Sequence, residues 1–222
     1  MIGQDLLFVN TRVIDLSQTI SADTPVYPGD PVPRIEPLST IELAGAKTTL
    51  LALGTHTGTH VDTPSHILPD GRTIDELSLE AFYGAAWVFD VSSTAQKSPV
   101  QSGDLDTGSP LCKGDIALIY TGSSGRKTSN SARQLHSYLD ESAAEWLIER
   151  QVKAVGIDSL SVDRYDSETN DIHRKLLLHN IVLFENLSSN LSLVTERYVL
   201  FFGVPLRLKA AEASPIRAFA VY

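Results

Sequence analysis

Cysteine is almost absent from this 222-residue chain, which holds only Cys112 and therefore cannot form an internal disulfide. That composition fits the reducing cytoplasm, where we expect the protein to reside. Cys112 has no activating neighbour in the sequence, so we expect a passive thiol rather than a nucleophile. Residues 1–5 carry no basic segment ahead of the short apolar patch that follows, which argues against a signal peptide.

Long apolar runs and positive charge are also scarce. No stretch approaches the roughly 18 apolar residues of a membrane-spanning helix. Lys and Arg number 18 against 27 Asp and Glu, which gives a net charge of -9. An acidic chain offers no electrostatic attraction to nucleic acid or to an anionic membrane. We therefore expect neither as a partner and expect a small molecule as the substrate.

The rest of the composition is ordinary for a globular protein, with 42% hydrophobic and 20% charged residues. A chain of this length can bury a substantial core, so we expect one domain over residues 1–222. Apolar segments predict strands at 11–20, 48–54, 86–91, 115–120, 152–157, 181–185, 199–208 and 216–222. Helices are predicted at 78–83, 140–150 and 171–178. Strands outnumber helices, which indicates an α/β domain with a largely buried sheet.

The most informative segment runs from His56 to His66 and reads HTGTHVDTPSH. Its three histidines and Asp62 all occupy even positions, so in an extended chain they project from one face. Three imidazoles and a carboxylate on one face are typical of a divalent metal site. The Thr, Gly and Pro content argues against a helix. Gly58 lies midway between His56 and His60, and we expect a bend there that brings both rings to one ion.

His66 is less suited to the same ion, because it lies beyond Pro64 and four residues after Asp62. A histidine beside a metal, rather than bound to it, suits proton transfer, since its unperturbed pKa is near neutrality. His66 is therefore the candidate general acid or base.

A second candidate carboxylate is Glu185, which ends the apolar run 181–185. A buried carboxylate needs a cation or several hydrogen-bond donors, and a metal ion would compensate it most strongly. His173 and His179 both precede this run, and their spacing does not separate them as partners of Glu185. The alternative for Glu185 is a hydrogen-bonded glutamate at the surface end of a strand.

The segment 56–66 resembles the signature H-x-G-T-H-x-D-x-P-x-H of the cyclase-like metal-dependent hydrolases, which include bacterial kynurenine formamidases and isatin hydrolases. The similarity extends over nearly the whole chain, through segments 15–17, 25–30, 156–163, 202–206 and 214–218. It implies a swivelling β/α/β fold in which helices flank a mixed, barrel-like sheet. It also implies a homodimer or homotetramer.

The resemblance further implies a metal centre with one or two Zn²⁺ or Mn²⁺ ions per subunit. The implied ligands are His56, His60 and Asp62 for a first ion, and Asp62, His173 and Glu185 for a second. On this basis His173 is preferred over His179, and His66 matches the general acid/base of the family.

The implied reaction is hydrolysis of a small amide or formamide, such as N-formylkynurenine to kynurenine and formate in tryptophan catabolism. Tyr27 stands where formamidases typically have tryptophan, so we expect it to line an altered substrate pocket. Ala-Glu-Ala at 211–213 replaces the expected Gly-Asp-Gly before Ser214. A cyclic amide, an imide or a lactone is the alternative substrate, because its hydrolysis uses the same attack on a carbonyl carbon.

Two other classes of function fit parts of the pattern. His60 and Asp62 with a distant histidine match the two-histidine, one-carboxylate site of non-haem iron oxygenases. That site would leave His56, His66 and Glu185 unused. A non-catalytic metal-binding protein could also share the fold, since a fold does not determine function. The histidine at position 66, beside the ligand set, argues against that reading.

Overall fold

The structure is a computed structural model that describes residues 11–94, 99–124 and 136–222. The strands are β1 (Val13–Asp15), β2 (Arg34–Ser39), β3 (Thr48–Ala52), β4 (His60–Asp62), β5 (Tyr83–Asp90), β6 (Pro99–Val100), β7 (Ile116–Tyr120), β8 (Tyr138–Leu139), β9 (Ala154–Ile157), β10 (Val182–Glu185), β11 (Arg197–Phe202), β12 (Ala213–Pro215) and β13 (Phe219–Val221). The α-helices are α1 (Ile41–Ala44), α2 (Ser102–Leu105), α3 (Glu141–Glu149) and α4 (Asp171–Leu178). Short 3₁₀ helices span Pro64–His66, Ile74–Glu76, Leu79–Ala81 and Ser189–Val194.

Nine strands form one mixed sheet in the order β1-β13-β11-β5-β7-β9-β10-β4-β12. The central strands β5, β7, β9 and β10 are parallel, and the flanking pairs are antiparallel. Parallel strands are usually buried on both faces, which explains why β7 and β9 read as continuous apolar runs. The predicted class is confirmed: an α/β fold with helices beside a curled, mixed sheet.

Each face of the sheet covers its own hydrophobic cluster. One cluster packs beneath α3 and α4 and includes Leu147, Leu176 and Leu183. The cluster on the opposite face includes Val61 and Phe184. Successive side chains of a strand alternate between faces, so β10 contributes to both clusters. This alternation fixes which face receives the polar residues at the end of β10.

Several predicted elements differ in extent from the observed ones. The helix predicted over 78–83 is wrong: the segment contains only a 3₁₀ turn, Leu79–Ala81, and β5 begins two residues later at Tyr83. The strand predicted over 199–208 is observed as Arg197–Phe202, and beyond it only Pro205 pairs, in an isolated bridge with Ile216. The strand predicted over 11–20 is only three residues long. No helix in the described ranges is long and apolar enough to cross a membrane.

Two expectations depend on residues that lie outside the described ranges. The segment 1–5, interpreted as lacking a signal peptide, lies outside the described residues. The single domain over 1–222 stays a prediction.

Candidate metal centre

Strands β4 and β10 place three polar side chains on one face of the sheet. The two strands are antiparallel, with Glu185 opposite His60 and Leu183 opposite Asp62. Val61, between His60 and Asp62, points to the opposite face of the sheet and packs in the hydrophobic cluster that contains Phe184. His60, Asp62 and Glu185 are all buried, and Asp62 has no exposed surface at all. The register of one strand pair thus gathers an imidazole and two carboxylates away from water.

Helix α4 brings His173 to the same place. Asp163 accepts hydrogen bonds from the backbone amides of Ile172 and His173 at 2.9 Å each, which fixes the start of the helix. The same carboxylate lies 2.6 Å from Nδ1 of the His173 ring. The ring is thereby oriented with Nε2 3.5 Å from an oxygen of Asp62 and 3.3 Å from an oxygen of Glu185. A carboxylate behind a histidine is the usual partner of a metal-binding imidazole.

His179, the histidine that sequence spacing could not separate from His173, lies elsewhere. It is exposed at the end of α4, and its Nδ1 contacts the carbonyl oxygen of Lys175 at 2.9 Å. His173 is buried among the carboxylates. The structure therefore brings His173 into the cluster and leaves His179 at the surface.

The extended conformation expected over 56–66 is wrong except at β4. Gly58 has φ +67°, so the chain turns there, as expected, and His56 lies in the turn that precedes the strand. His66 lies in the 3₁₀ helix Pro64–His66, which starts at the proline. The histidines converge through these two turns, and strand alternation aligns only His60 with Asp62.

The rings of His56 and His60 meet edge to face, with centroids 5.0 Å apart. His60 Nδ1 lies 2.9 Å from the Gly58 carbonyl oxygen, which can only accept, so Nδ1 carries the proton. His60 Nε2 then faces Asp62 at 3.4 Å. His56 presents Nδ1 to the same Asp62 oxygen at 2.9 Å. Asp62 is therefore the common neighbour of these imidazoles.

Opposite charges compensate one another across the cluster. Burial alone would lower the pKa of His60, but the Asp62 and Glu185 carboxylates outweigh it and raise that pKa to about 9. Burial would raise the pKa of the Glu185 carboxyl, yet His173 and His60 lower it to about 2. The pKa of Asp62 is likewise held well below its ordinary range by His60 and His56, despite burial. These buried histidines and carboxylates can bind either protons or a metal cation, so protons and the cation compete for them.

The residues present fit a divalent cation. Among the described residues, no donor is aligned to hydrogen-bond with the buried Asp62 oxygens, although His56 Nδ1 lies 2.9 Å from one of them, and buried His60 Nε2 also lacks a hydrogen-bond partner. Buried polar atoms in this state are rare and destabilising, and a bound ion would satisfy all three. Ligand atoms of His60, Asp62 and Glu185 lie within 4.8 Å of one another. Nitrogen and oxygen donors at this spacing suit a divalent metal.

His66 lies closer to this centre than the sequence suggested. Its ring centroid is 4.4 Å from that of His56 and 5.5 Å from that of His173. Its ligand atoms also fall within 4.8 Å of those of His56 and Asp62, so this trio is a second group able to hold an ion. Burial lowers the pKa of His66 below its ordinary value of 6.5, unlike those of the other histidines in the cluster.

A cavity of about 190 Å³ opens onto the cluster, and Tyr27 lies at its wall. The Tyr27 hydroxyl donates a hydrogen bond to the carbonyl oxygen of Tyr165 at 2.9 Å. The ring centroids of Tyr27 and Tyr165 are 5.8 Å apart, so the Tyr165 ring packs against the ring that lines the cavity. Arg164 is the one Lys or Arg that lines this cavity within the described part of the chain.

Sequence reasoning missed the residues that hold the ligands in place. Asp163 fixes His173, and the Val162 amide donates to Glu185 Oε1 at 2.8 Å. Glu212 lies 3.5 Å from His56 Nε2. The only signal for Asp163 was its place shortly before a predicted helix, where a carboxylate can accept from free amides. The signal for Glu212 was its departure from the expected Gly-Asp-Gly.

Comparison with known proteins places these features in a family context. Residues 14–164 match the family model named Cyclase. The kynurenine formamidase of Salinibacter ruber is 33% identical, over 93% of this chain and 95% of its own length. The isatin hydrolase A of Ralstonia solanacearum superposes with a TM-score of 0.86 at 25% identity, covering 96% of this chain and 92% of that one. A potential metal-dependent hydrolase with cyclase activity gives a TM-score of 0.79 at 25% identity, over 95% of this chain and 98% of its own.

Proposed function

Because this chain belongs to the Cyclase family and is a metal-dependent hydrolase of non-peptide carbon–nitrogen bonds, we propose that its substrate is an aryl formamide of the N-formylkynurenine type. The observation that carries the proposal is Asp62, a buried carboxylate with no aligned hydrogen-bond donor among the described residues. Three imidazoles and Glu185 surround it. The kynurenine formamidase of Salinibacter ruber supports the choice of substrate.

The proposed metal is Zn²⁺ or Mn²⁺, with one or two ions per subunit. Its proposed ligands are His56, His60 and Asp62 for one ion, and Asp62, His173 and Glu185 for the other. Imidazole suits zinc, whereas carboxylate also suits manganese, so the donor set is compatible with either metal. Asp62 oxygens lie 2.9–3.5 Å from nitrogens of His56, His60 and His173, which supports the place of Asp62 in both proposed ligand sets.

A divalent ion held by these residues would lower the pKa of a water molecule and polarise the substrate carbonyl. The protein's own residues then position the reacting groups. His66 accepts a proton from the attacking water as the new C–O bond forms at the carbonyl carbon. It returns that proton to the leaving nitrogen as the C–N bond breaks, which yields a carboxylate and an amine. The half-buried His66 ring lies beside His56 and His173 in the lining of the cavity, which supports this role.

Tyr27 supports an aromatic substrate, because it places an aromatic ring in the lining of the cavity. A substrate ring that stacked on it would gain about 0.5–1.5 kcal/mol, the usual contribution of an aromatic pair. The Tyr27 hydroxyl donates to the Tyr165 carbonyl oxygen, which holds the Tyr27 ring in place at the cavity wall.

Turnover of N-formylkynurenine by purified protein tests this proposal, and chelator-sensitive turnover that Zn²⁺ or Mn²⁺ restores is the expected result. A matched panel contains isatin and a simple lactone. Hydrolysis of isatin but not of the formamide would overturn the formamide proposal and establish the cyclic-amide alternative. Oxygen uptake with Fe²⁺ in place of hydrolysis would overturn the hydrolytic mechanism.

The proposed assembly is a homodimer or homotetramer, in which a second copy covers the β2–β3 arm, residues 34–52. No residue of either strand is fully buried, and an isolated two-stranded hairpin is marginally stable in water. The exposed apolar side chains of the arm are Ile35, Leu38, Ile41, Leu43, Leu50 and Leu51. Two basic and two acidic residues leave the arm without net charge, which suits contact with an identical arm.

Replacing Leu38 and Leu51 together by glutamate is expected to shift the protein toward the monomer, because like charges would meet in the proposed interface. Light scattering during size-exclusion chromatography measures the mass. Leu79→Glu is the matched control, since Leu79 is as exposed as Leu38 but lies outside the arm. A wild-type monomer, or an oligomer that persists in the double variant, would contradict the proposed arm contact.

The proposed compartment is the cytoplasm. Cys112 is the sole cysteine of the chain and is exposed, so the chain forms no internal disulfide that would call for an oxidising compartment.

A further inference from the structure

Two histidines of the cluster share one arrangement. His60 and His173 each direct Nε2 toward Asp62, at 3.4 Å and 3.5 Å. Each has its other nitrogen, Nδ1, against an acceptor: the Gly58 carbonyl at 2.9 Å for His60 and the Asp163 carboxylate at 2.6 Å for His173. An acceptor behind an imidazole fixes its tautomer and makes the opposite nitrogen the ligand.

His56 has the same arrangement with its nitrogens exchanged. Its Nδ1 faces Asp62 at 2.9 Å, and its Nε2 lies 3.5 Å from Oε1 of Glu212. The acceptor behind His56 is therefore Glu212, on the side of the ring away from Asp62. The third histidine thus also has one nitrogen toward the centre and the other toward an acceptor.

Glu212 is itself firmly anchored. The hydroxyl of Thr55 donates to the same Oε1 at 2.6 Å. The Glu212 carbonyl oxygen accepts from both the amide and the hydroxyl of Thr63, each at 2.9 Å. Directly after Glu212, Ala213 pairs with Asp62 in the β12–β4 ladder. These contacts tie Glu212 to both ends of the segment that carries His56.

We propose that Glu212 is a positioning residue that holds His56 through Nε2, so that Nδ1 is the nitrogen presented to the metal. This inference rests on the proposed metal centre, and it gives a role to the Ala-Glu-Ala segment at 211–213. Glu212 acts through His56 and not on the substrate. Its carboxylate fixes the ring orientation and keeps the proton on Nε2.

Zinc affinity of metal-stripped protein, measured by competition with a chromophoric chelator, tests this role. Glu212→Ala is expected to weaken zinc binding by about 10- to 100-fold, the usual range for a residue that supports a metal ligand. Glu212→Gln keeps an acceptor oxygen, so an intermediate loss is expected. Glu80→Gln is the control, because that glutamate is exposed and belongs neither to the cavity lining nor to the ligand groups, and the zinc affinity of this variant is expected to be unchanged.

Nitrogen NMR of the histidine side chains gives a second readout that does not depend on activity. In the wild-type zinc protein we expect the proton on Nε2 of His56, and in Glu212→Ala we expect the ring to lose that single tautomer. Thr55→Val retains the glutamate but removes the hydroxyl that fixes it, so a smaller loss of zinc affinity in the same direction is expected.

The outcomes separate this inference from the proposed function. Wild-type zinc affinity in Glu212→Ala, with His56 still protonated on Nε2, would overturn the role of Glu212 and leave the metal centre standing. Failure of the wild-type protein to bind zinc or manganese would instead overturn the metal centre itself. Because both measurements use binding, neither depends on the identity of the substrate.

Discussion

Asp62→Asn is expected to lower kcat/KM by at least about 10³-fold, because the substitution removes the charge shared by both groups of proposed ligands. Loss of a single oxyanion-stabilising donor already lowers rates by about 10²- to 10³-fold, and loss of the metal removes more. Asparagine matches aspartate in shape, so the fully buried site should retain its packing. Metal content by mass spectrometry and steady-state hydrolysis of the formamide measure the two effects.

The control for this prediction is Asp30→Asn. Asp30 lines the same cavity as Asp62 but belongs to neither group of ligand atoms. The Asp30→Asn variant loses the same charge as Asp62→Asn but no proposed ligand. We therefore expect its metal content to equal that of the wild type. An Asp62→Asn variant that retains a full complement of tightly bound metal would show that Asp62 is not a ligand.

His66→Ala is expected to keep its metal and to lose at least about 100-fold in kcat, the lower end of the range for general acid/base groups. The reason is geometric, since His66 lies against His56 and His173 on the cavity side of the cluster. KM should change little, because the ring acts on the reacting atoms and not on the rest of the substrate.

The metal content of the same variant separates two roles for His66. Its ligand atoms lie within reach of those of His56 and Asp62, so His66 could also complete an ion site. Loss of metal in His66→Ala would establish a ligand, and retention of both metal and full activity would remove His66 from the mechanism. His179→Ala, at an exposed histidine, is the matched control and should behave as the wild type.

Much of the fold could be predicted from the sequence, because its parallel strands are buried on both faces and therefore read as unbroken apolar runs. The runs at 115–120, 152–157 and 181–185 correspond to β7, β9 and β10. The β2–β3 arm was not predicted in full. Its side chains are exposed on both faces, so the pattern of burial that reveals a strand is missing there.

The roles of the predicted site residues stay predictions, but the structure shows how these residues come together. Strand alternation predicted that His60 and Asp62 share one face, and they do so in β4. Glu185 was predicted at the end of an apolar strand, and it is buried at the end of β10. The same rule failed for His56 and His66, which reach the cluster through turns. Turns bring side chains together at distances that period-two reasoning does not describe.

The choice between His173 and His179 could not come from spacing. Both histidines lie within or at the end of one helix, and only the tertiary contact with Asp163 distinguishes them. The Asp163 carboxylate approaches from the turn after β9, ten residues before His173. Contacts of this kind depend on the folded chain, and the same is true of Glu212 behind His56.

Titration of metal-stripped protein with Zn²⁺ or Mn²⁺, with bound ion and formamide hydrolysis followed in the same samples, tests the central claim most directly. We expect hydrolysis to be absent from stripped protein and to rise in proportion to bound ion until one or two ions per subunit are held. Asp62→Asn should show neither response. Full turnover by metal-free protein, or equally tight ion binding by Asp62→Asn, would contradict a catalytic metal centre built around Asp62.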